Sequence, residues 1–195
     1  MATTHTAAPT LSIKTNAASW IKTIALAACG ALVLTLCAKI TVPFYPVPMT
    51  FQTFGVLLIG AAFGLRLGMG TILVYLAEGA VGLPVFAGTP ARGIGLPYML
   101  GPTGGYLLGF IFATVIVGYF ADRGWNRHLV KIGLAMAIAN VALYIPGLLW
   151  LAQFTGWERV LPVGFYPFVL ADPLKWALAA AVALPAGSLV RKLRG

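Results

Sequence analysis

At 195 residues the chain has the length of one domain, and its makeup decides its class: 60% of the residues are hydrophobic and only 9% charged, against about 25% charged in an average soluble domain. That excludes an ordinary soluble protein and points to a polytopic membrane protein, seated in the lipid bilayer of the cell membrane. The formal charge of +9 does not imply nucleic acid, because the basic residues are scattered between apolar blocks and form no patch.

Residues 1–18 are polar and lack the charged start and short apolar core of a signal peptide, so they read as a flexible cytoplasmic tail. Residues 19–195 then form a single transmembrane domain. Six apolar segments follow, at 19–38, 50–65, 67–82, 102–121, 129–151 and 168–190. Each is near the ~20 residues a spanning helix needs, the third being short. The expected fold is an all-α integral membrane protein, a compact bundle of six transmembrane helices. With the N-terminus inside, the cytoplasmic ends receive Lys14, Lys22, Arg66, Arg123, Arg127, Lys131, Arg191, Lys192 and Arg194, while the outer loops receive only Lys39, Arg92 and Arg159. The positive-inside rule then places both termini in the cytoplasm.

The first segment carries Cys29 and Cys37, about 12 Å apart on a helix and too distant for a disulfide. Small packing groups are the expected role. It also carries Ala27 and Ala31, a smooth strip fit for packing or for an outside partner. Small residues recur at Gly60 and Gly64, Gly64 and Gly68, Gly101 and Gly105, and Gly105 and Gly109, a spacing that lets membrane helices approach closely. Packing within the chain is the first expectation, and a homo-oligomer seam the alternative. The outer loops are stiff: residues 41–49 hold three prolines, and the Gly/Pro-rich run 82–97 puts Phe86 and Arg92 outside. Together they suggest a lid.

The last segment contains an acid and a base, Asp172 and Lys175. Ionisable groups inside a membrane are costly and usually mark a binding or transport site, and at a spacing of three they share a helix face. Counted from the inner basic anchors at about 1.5 Å per residue, Lys175 lies about 24 Å up, Gln52 about 21 Å, Tyr144 about 20 Å and Glu78 about 18 Å. Four helices therefore bring polar groups to the outer half of the bilayer. Asn140, near 13 Å, reads as packing glue and is set aside. Duller roles stand beside each: Asp172 before Pro173 fits a helix cap, Lys175 a snorkelling cation, Glu78 a paired or protonated acid, Gln52 a helix–helix hydrogen bond, Tyr144 an interfacial aromatic, and Arg92 a solvated charge.

Catalytic patterns do not occur. The chain has no phosphate-binding Gly-x-x-x-x-Gly-Lys-Ser/Thr loop, no His-Glu-x-x-His, no Cys-x-x-Cys and no Gly-x-Ser-x-Gly. No metal or cofactor is expected, and the chemistry is recognition rather than catalysis.

Three runs carry a family resemblance: Pro43-Phe-Tyr-Pro-Val-Pro-Met-Thr-Phe-Gln-Thr-Phe-Gly55, Gly79-Ala-Val-Gly-Leu-Pro-Val-Phe-Ala-Gly88 and Met99-Leu-Gly-Pro-Thr-Gly-Gly-Tyr-Leu-Leu-Gly-Phe110. With Asp172 and Lys175 they resemble the biotin transporter family BioY, substrate-binding components of energy-coupling-factor transporters. The resemblance covers about residues 20–190. It implies a six-helix bundle that holds biotin near the outer face under the first loop. It also implies uptake driven by a coupling module, a membrane protein plus two ATPases, docked on the Ala27/Ala31 strip. Under this reading Asp172 and Lys175 grip the ureido ring, Phe44, Tyr45, Phe86 and Tyr144 wall the thioether ring, and Arg92 meets the carboxylate, with Gln52 and Glu78 at the same depth. A component for another vitamin and a non-transport assembly protein are the rival readings.

Overall fold

A computed structural model of the chain describes residues 17–194, so the expected tail lies almost wholly outside the described residues. Helix α1 (Ala17–Lys39) leads into a small antiparallel hairpin, β1 (Thr41–Val42) on β2 (Met49–Thr50), with Thr41 opposite Thr50. Then come α2 (Gln52–Ala80), α3 (Gly95–Met99) and α4 (Gly104–Asp122), a 3₁₀ turn (Trp125–Arg127), and α5 (Leu129–Thr155). Two short helices, α6 (Val160–Gly164) and α7 (Tyr166–Val169), precede α8 (Asp172–Arg194). Five of these helices are long and apolar enough to cross a membrane, and α2 crosses it twice.

The reversal in α2 is made at Gly64, whose φ of 73° and ψ of −173° break the helix. A straight helix would hold Gln52 and Tyr75 about 35 Å apart, yet the Gln52 amide donates to the Tyr75 hydroxyl at 2.6 Å. A methyl group on Gly68 would likewise sit 3.6 Å from the Cα of Gly60. The two arms, residues 52–63 and 65–80, therefore lie antiparallel, and the six expected passes are present. The turn falls two residues before the expected break at Arg66, because glycine alone adopts this φ without strain. Asp122, at the end of α4, accepts the Leu65 N–H at 3.1 Å and so caps the second arm.

The arms of α2 form the centre of the bundle. They pack on α1, α4 and α8, while α4 also packs on α5, and α5 on α8. The small residues work inside this bundle. Gly60 faces Val117, Gly68 faces Thr114, and Gly109 lets α4 come within contact of the Leu143 carbonyl on α5. Ala31 is fully buried and Ala27 nearly so, against Leu67 and Val190. Ala31 is covered by the bundle's own helices, whereas Ala27 lines an open groove with Thr23, Ala28 and Gly70, and among the described residues of α1 the exposed small ones are Ala25, Ala28 and Cys29. Gly64, Arg123, Arg127 and Arg191 gather at one end. The proline-rich hairpin and the 82–94 loop gather at the other, so the basic end faces the cytoplasm.

Gly64→Ala is expected to destabilise the protein by about 1–3 kcal/mol, since the new methyl meets the Asp122 carboxylate at an unfavourable φ. Gly70→Ala, where nothing lies within 4 Å, is expected to cost nothing. Thermal unfolding in detergent compares the two, and equal midpoints would sink the account of the turn.

Candidate functional site

Between the bundle and its outer loops lies a cavity. Its lining includes Val47, Pro48 and Thr50 from the hairpin, Gln52 and Thr53 from α2, and Ala87 and Tyr98 from the second outer loop and α3. Thr103, Tyr106, Leu107 and Phe110 come from the α4 end, Leu143 and Tyr144 from α5, and Phe168 and Lys175 close the ring. The enclosed space is small, about 50 Å³, below the several hundred Å³ of typical small-molecule sites, so the roof of outer loops must shift to admit a ligand. Lys175 is the one charged side chain among the described residues that line it.

Lys175 sits in the first turn of α8 and is only 7% exposed. Its ammonium lies 3.0 Å from Asp172 Oδ1. Asp172, 3% exposed, begins α8 after the break that follows α7. Its other oxygen accepts from the Tyr144 hydroxyl and from Asn140 Nδ2, the latter at 3.0 Å. Three donors on two carboxylate oxygens compensate a charge that would otherwise be very costly at this depth. Asp172 itself does not line the cavity. It holds Lys175 and Tyr144 in place from behind.

Gln52 presents the complementary group. The Tyr75 hydroxyl donates its one proton to the Val85 carbonyl at 3.0 Å, so it must accept from Gln52, whose amide nitrogen donates to it. The Gln52 carbonyl oxygen has no donor among the described residues and belongs to a side chain on the cavity wall. The site thus offers a charged donor on α8 and a neutral acceptor on α2, with apolar and aromatic walls between.

The outer loops are tied down by two cations. Lys39 Nζ donates to the Phe86 and Thr89 carbonyls and to Thr89 Oγ1, at 3.0 to 3.1 Å. Arg92 donates to the Phe44 carbonyl at 3.1 Å and the Pro46 carbonyl at 3.4 Å, which joins the second loop to the hairpin. Tyr98 donates to the Ala87 carbonyl at 2.8 Å, and burial raises its phenol above the usual value, which keeps it a neutral donor.

Several expected residues stand elsewhere. Phe86 is buried between Tyr75 and Tyr98, edge-on to the first and stacked on the second, and its neighbour Ala87 reaches the cavity instead. Phe44 and Tyr45 lie exposed on the hairpin. Arg92 is exposed and engaged with loop carbonyls. Glu78 is half-buried outside the lining and has no hydrogen-bond or ion-pair partner among the described residues. The residue that sequence reasoning missed is Asn140, one helical turn before Tyr144 on the same face of α5, a spacing that does signal a shared partner. Tyr106 was also passed over. It lines the cavity and donates to the Gly164 carbonyl at 2.8 Å.

This geometry can be compared with known proteins. The BioY family model matches residues 6–192. The chain belongs to the BioY family. Among its relatives is a protein of Pyrococcus horikoshii named "Probable biotin transporter BioY", 38% identical over 162 residues, which cover 83% of this chain and 94% of the relative. "Biotin transporter BioY" of Thermotoga maritima is 36% identical over 149 residues, covering 75% of this chain and 85% of that one. "Biotin transporter BioY" of Rhizobium etli is 36% identical over 164 residues, covering 80% and 86%. In structure the chain is similar to the S-component for biotin from an ECF-type ABC transporter, solved at 2.1 Å. The TM-score is 0.76 at 21% identity, over 87% of this chain and 92% of that one, which establishes a shared fold. BioY membership makes the chain a multi-pass membrane protein of a transporter family.

Lys175→Met is expected to lower stability by about 3–5 kcal/mol, because it leaves the buried Asp172 carboxylate without its cation. Asp172→Asn combined with Lys175→Met is expected to recover much of that loss, since an amide oxygen still accepts from Tyr144. Unfolding midpoints of the two variants measure this. A double variant no more stable than the single one would show that the pair is not what compensates the acid.

Proposed function

We propose that this chain binds biotin in the outer cavity and acts as the substrate-binding component of an energy-coupling-factor uptake transporter. The observation that carries the reading is the pairing of Lys175 with the open carbonyl of Gln52 across an apolar cavity. The ureido ring of biotin has one carbonyl acceptor and two N–H donors. Lys175 donates to the first, and the Gln52 oxygen accepts from the second. The fused thioether ring fits the apolar wall of Leu107, Phe110, Leu143 and Phe168. The names of the relatives support the same ligand.

Asp172 then acts through Lys175, because its oxygens are already engaged with Lys175, Tyr144 and Asn140. Arg92 acts at the mouth. Its partners are neutral carbonyls, so its charge is uncompensated among the described residues and attracts the valerate carboxylate. Phe44 and Tyr45 belong to the same lid. Energy for uptake comes from a partner module, a transmembrane coupling protein with two ATPases, for which the open groove lined by Ala27 and Ala28 is the candidate docking face. The chain itself is not an enzyme and needs no cofactor.

Biotin at 100 times its dissociation constant is expected to stabilise the detergent-solubilised protein by about 2.7 kcal/mol, with no shift from thiamine or riboflavin. Gln52→Leu is expected to weaken biotin about tenfold while the fold persists. A shift with another vitamin and none with biotin would transfer the reading to the rival transporter component.

A further inference from the structure

At the cytoplasmic end, opposite the biotin cavity, a second hollow opens between the turn of α2, the α4–α5 link and the end of α8. Its lining is mostly polar, with Asn126 and the arginines Arg123, Arg127 and Arg191, and the apolar residues Ala62, Phe63, Ala121 and Val190 contribute the smaller share. The single acid on the rim, Asp122, is engaged with the Leu65 N–H. Arg123 folds back on Tyr119, 3.3 Å above its ring, and donates to the Tyr119 carbonyl. Arg127 and Arg191 have no acceptor among the described residues. A methyl group built on Gly187 would lie 3.4 Å from Arg191 Nη1 and 3.3 Å from Asn126 Nδ2. The Arg191 guanidinium therefore lies back along α8 beside Asn126, over the hollow.

We propose that this hollow binds the phosphate of an anionic phospholipid headgroup. Two unsatisfied guanidinium groups supply the planar forks that match phosphate oxygens. The mostly polar lining suits a headgroup, and the apolar minority, Ala62, Phe63 and Val190, meets the first carbons of its glycerol. Basic pockets between transmembrane helices on the cytoplasmic side suit such headgroups. The lipid ties the α2 turn, the α4–α5 link and α8 together at the end of the bundle that lacks the loop fastenings of the outer side.

The test uses delipidated, detergent-solubilised protein with phosphatidylglycerol, phosphatidylcholine or inorganic phosphate, read by thermal unfolding and native mass spectrometry. Phosphatidylglycerol is expected to raise the midpoint and to remain bound at one copy per chain. Phosphatidylcholine, which carries no net charge, is expected to bind at least tenfold more weakly. Arg127→Gln with Arg191→Gln, and Arg191→Gln alone, are expected to lose that preference. Lys131→Gln, which removes the same charge outside the hollow, is expected to keep it. Equal binding of the two lipids, or an undiminished preference in the double variant, overturns the site. An equal effect from inorganic phosphate overturns the lipid as its source. Should the double variant fail to fold, Arg191→Gln alone decides between these outcomes.

Discussion

The carboxylate of Asp172 is the constraint on which the functional half of the molecule depends. It is buried at the start of α8, where an uncompensated charge is untenable, and every group that compensates it has a position to hold. Asn140 and Tyr144 come from α5 and Lys175 from α8, so satisfying one acid locks two helices in register at the level of the cavity. The same bonds aim the lysine. Without an acid behind it, an ammonium at this depth would extend toward water along its flexible stem. Held at 3.0 Å from Asp172, it becomes a fixed donor on the wall of an apolar cavity.

The opposite wall follows the same logic with neutral groups. The fold-back of α2 at Gly64 brings Gln52 to Tyr75, and the second outer loop brings Val85 to the tyrosine hydroxyl. That chain of donors leaves one oxygen free to face a ligand. The loops above are held by Lys39 and Arg92 through backbone carbonyls. Such contacts lack the strength of a buried ion pair. A roof fastened this way can open for a ligand while the cavity floor, fixed by the Asp172 bonds, keeps its shape.

Much of this was legible in the residues. Apolar segment lengths and the positive-inside pattern give the six passes and their orientation, since both depend on one-dimensional properties. Counting residues from basic anchors found the common depth of Gln52, Tyr144 and Lys175. Depth, however, carries no information on which way a side chain faces. Glu78 shares the depth of Tyr75 but lies about 60° round the helix from it, outside the lining. Phe86 reads as a loop aromatic, yet it fills the space opposite Gly79, whose missing side chain makes room for its ring. Asn140 reads as packing glue one turn deeper than Tyr144, yet its amide reaches the same acid. Ala27 and Ala31 have the spacing of a docking strip, but spacing does not say how much of such a strip the chain's own helices cover: Ala31 is buried, while Ala27 meets Leu67 and Val190 and still lines an open groove.

The two ends of the bundle solve one problem with different means. A hairpin whose arms span about 18 and 24 Å is shorter than a hydrocarbon core of about 30 Å, so α2 leaves a gap in the bilayer at its ends. On the outer side the proline-rich hairpin and the 82–94 loop cover that gap, and the covered space is the ligand cavity. On the inner side no comparable loop exists among the described residues, and the gap is the arginine-rimmed hollow beside Gly64. The short arms therefore account for both cavities. A single glycine that turns the chain early makes room for a cavity at one face, where we place the ligand, and for a hollow at the other, where we place the headgroup.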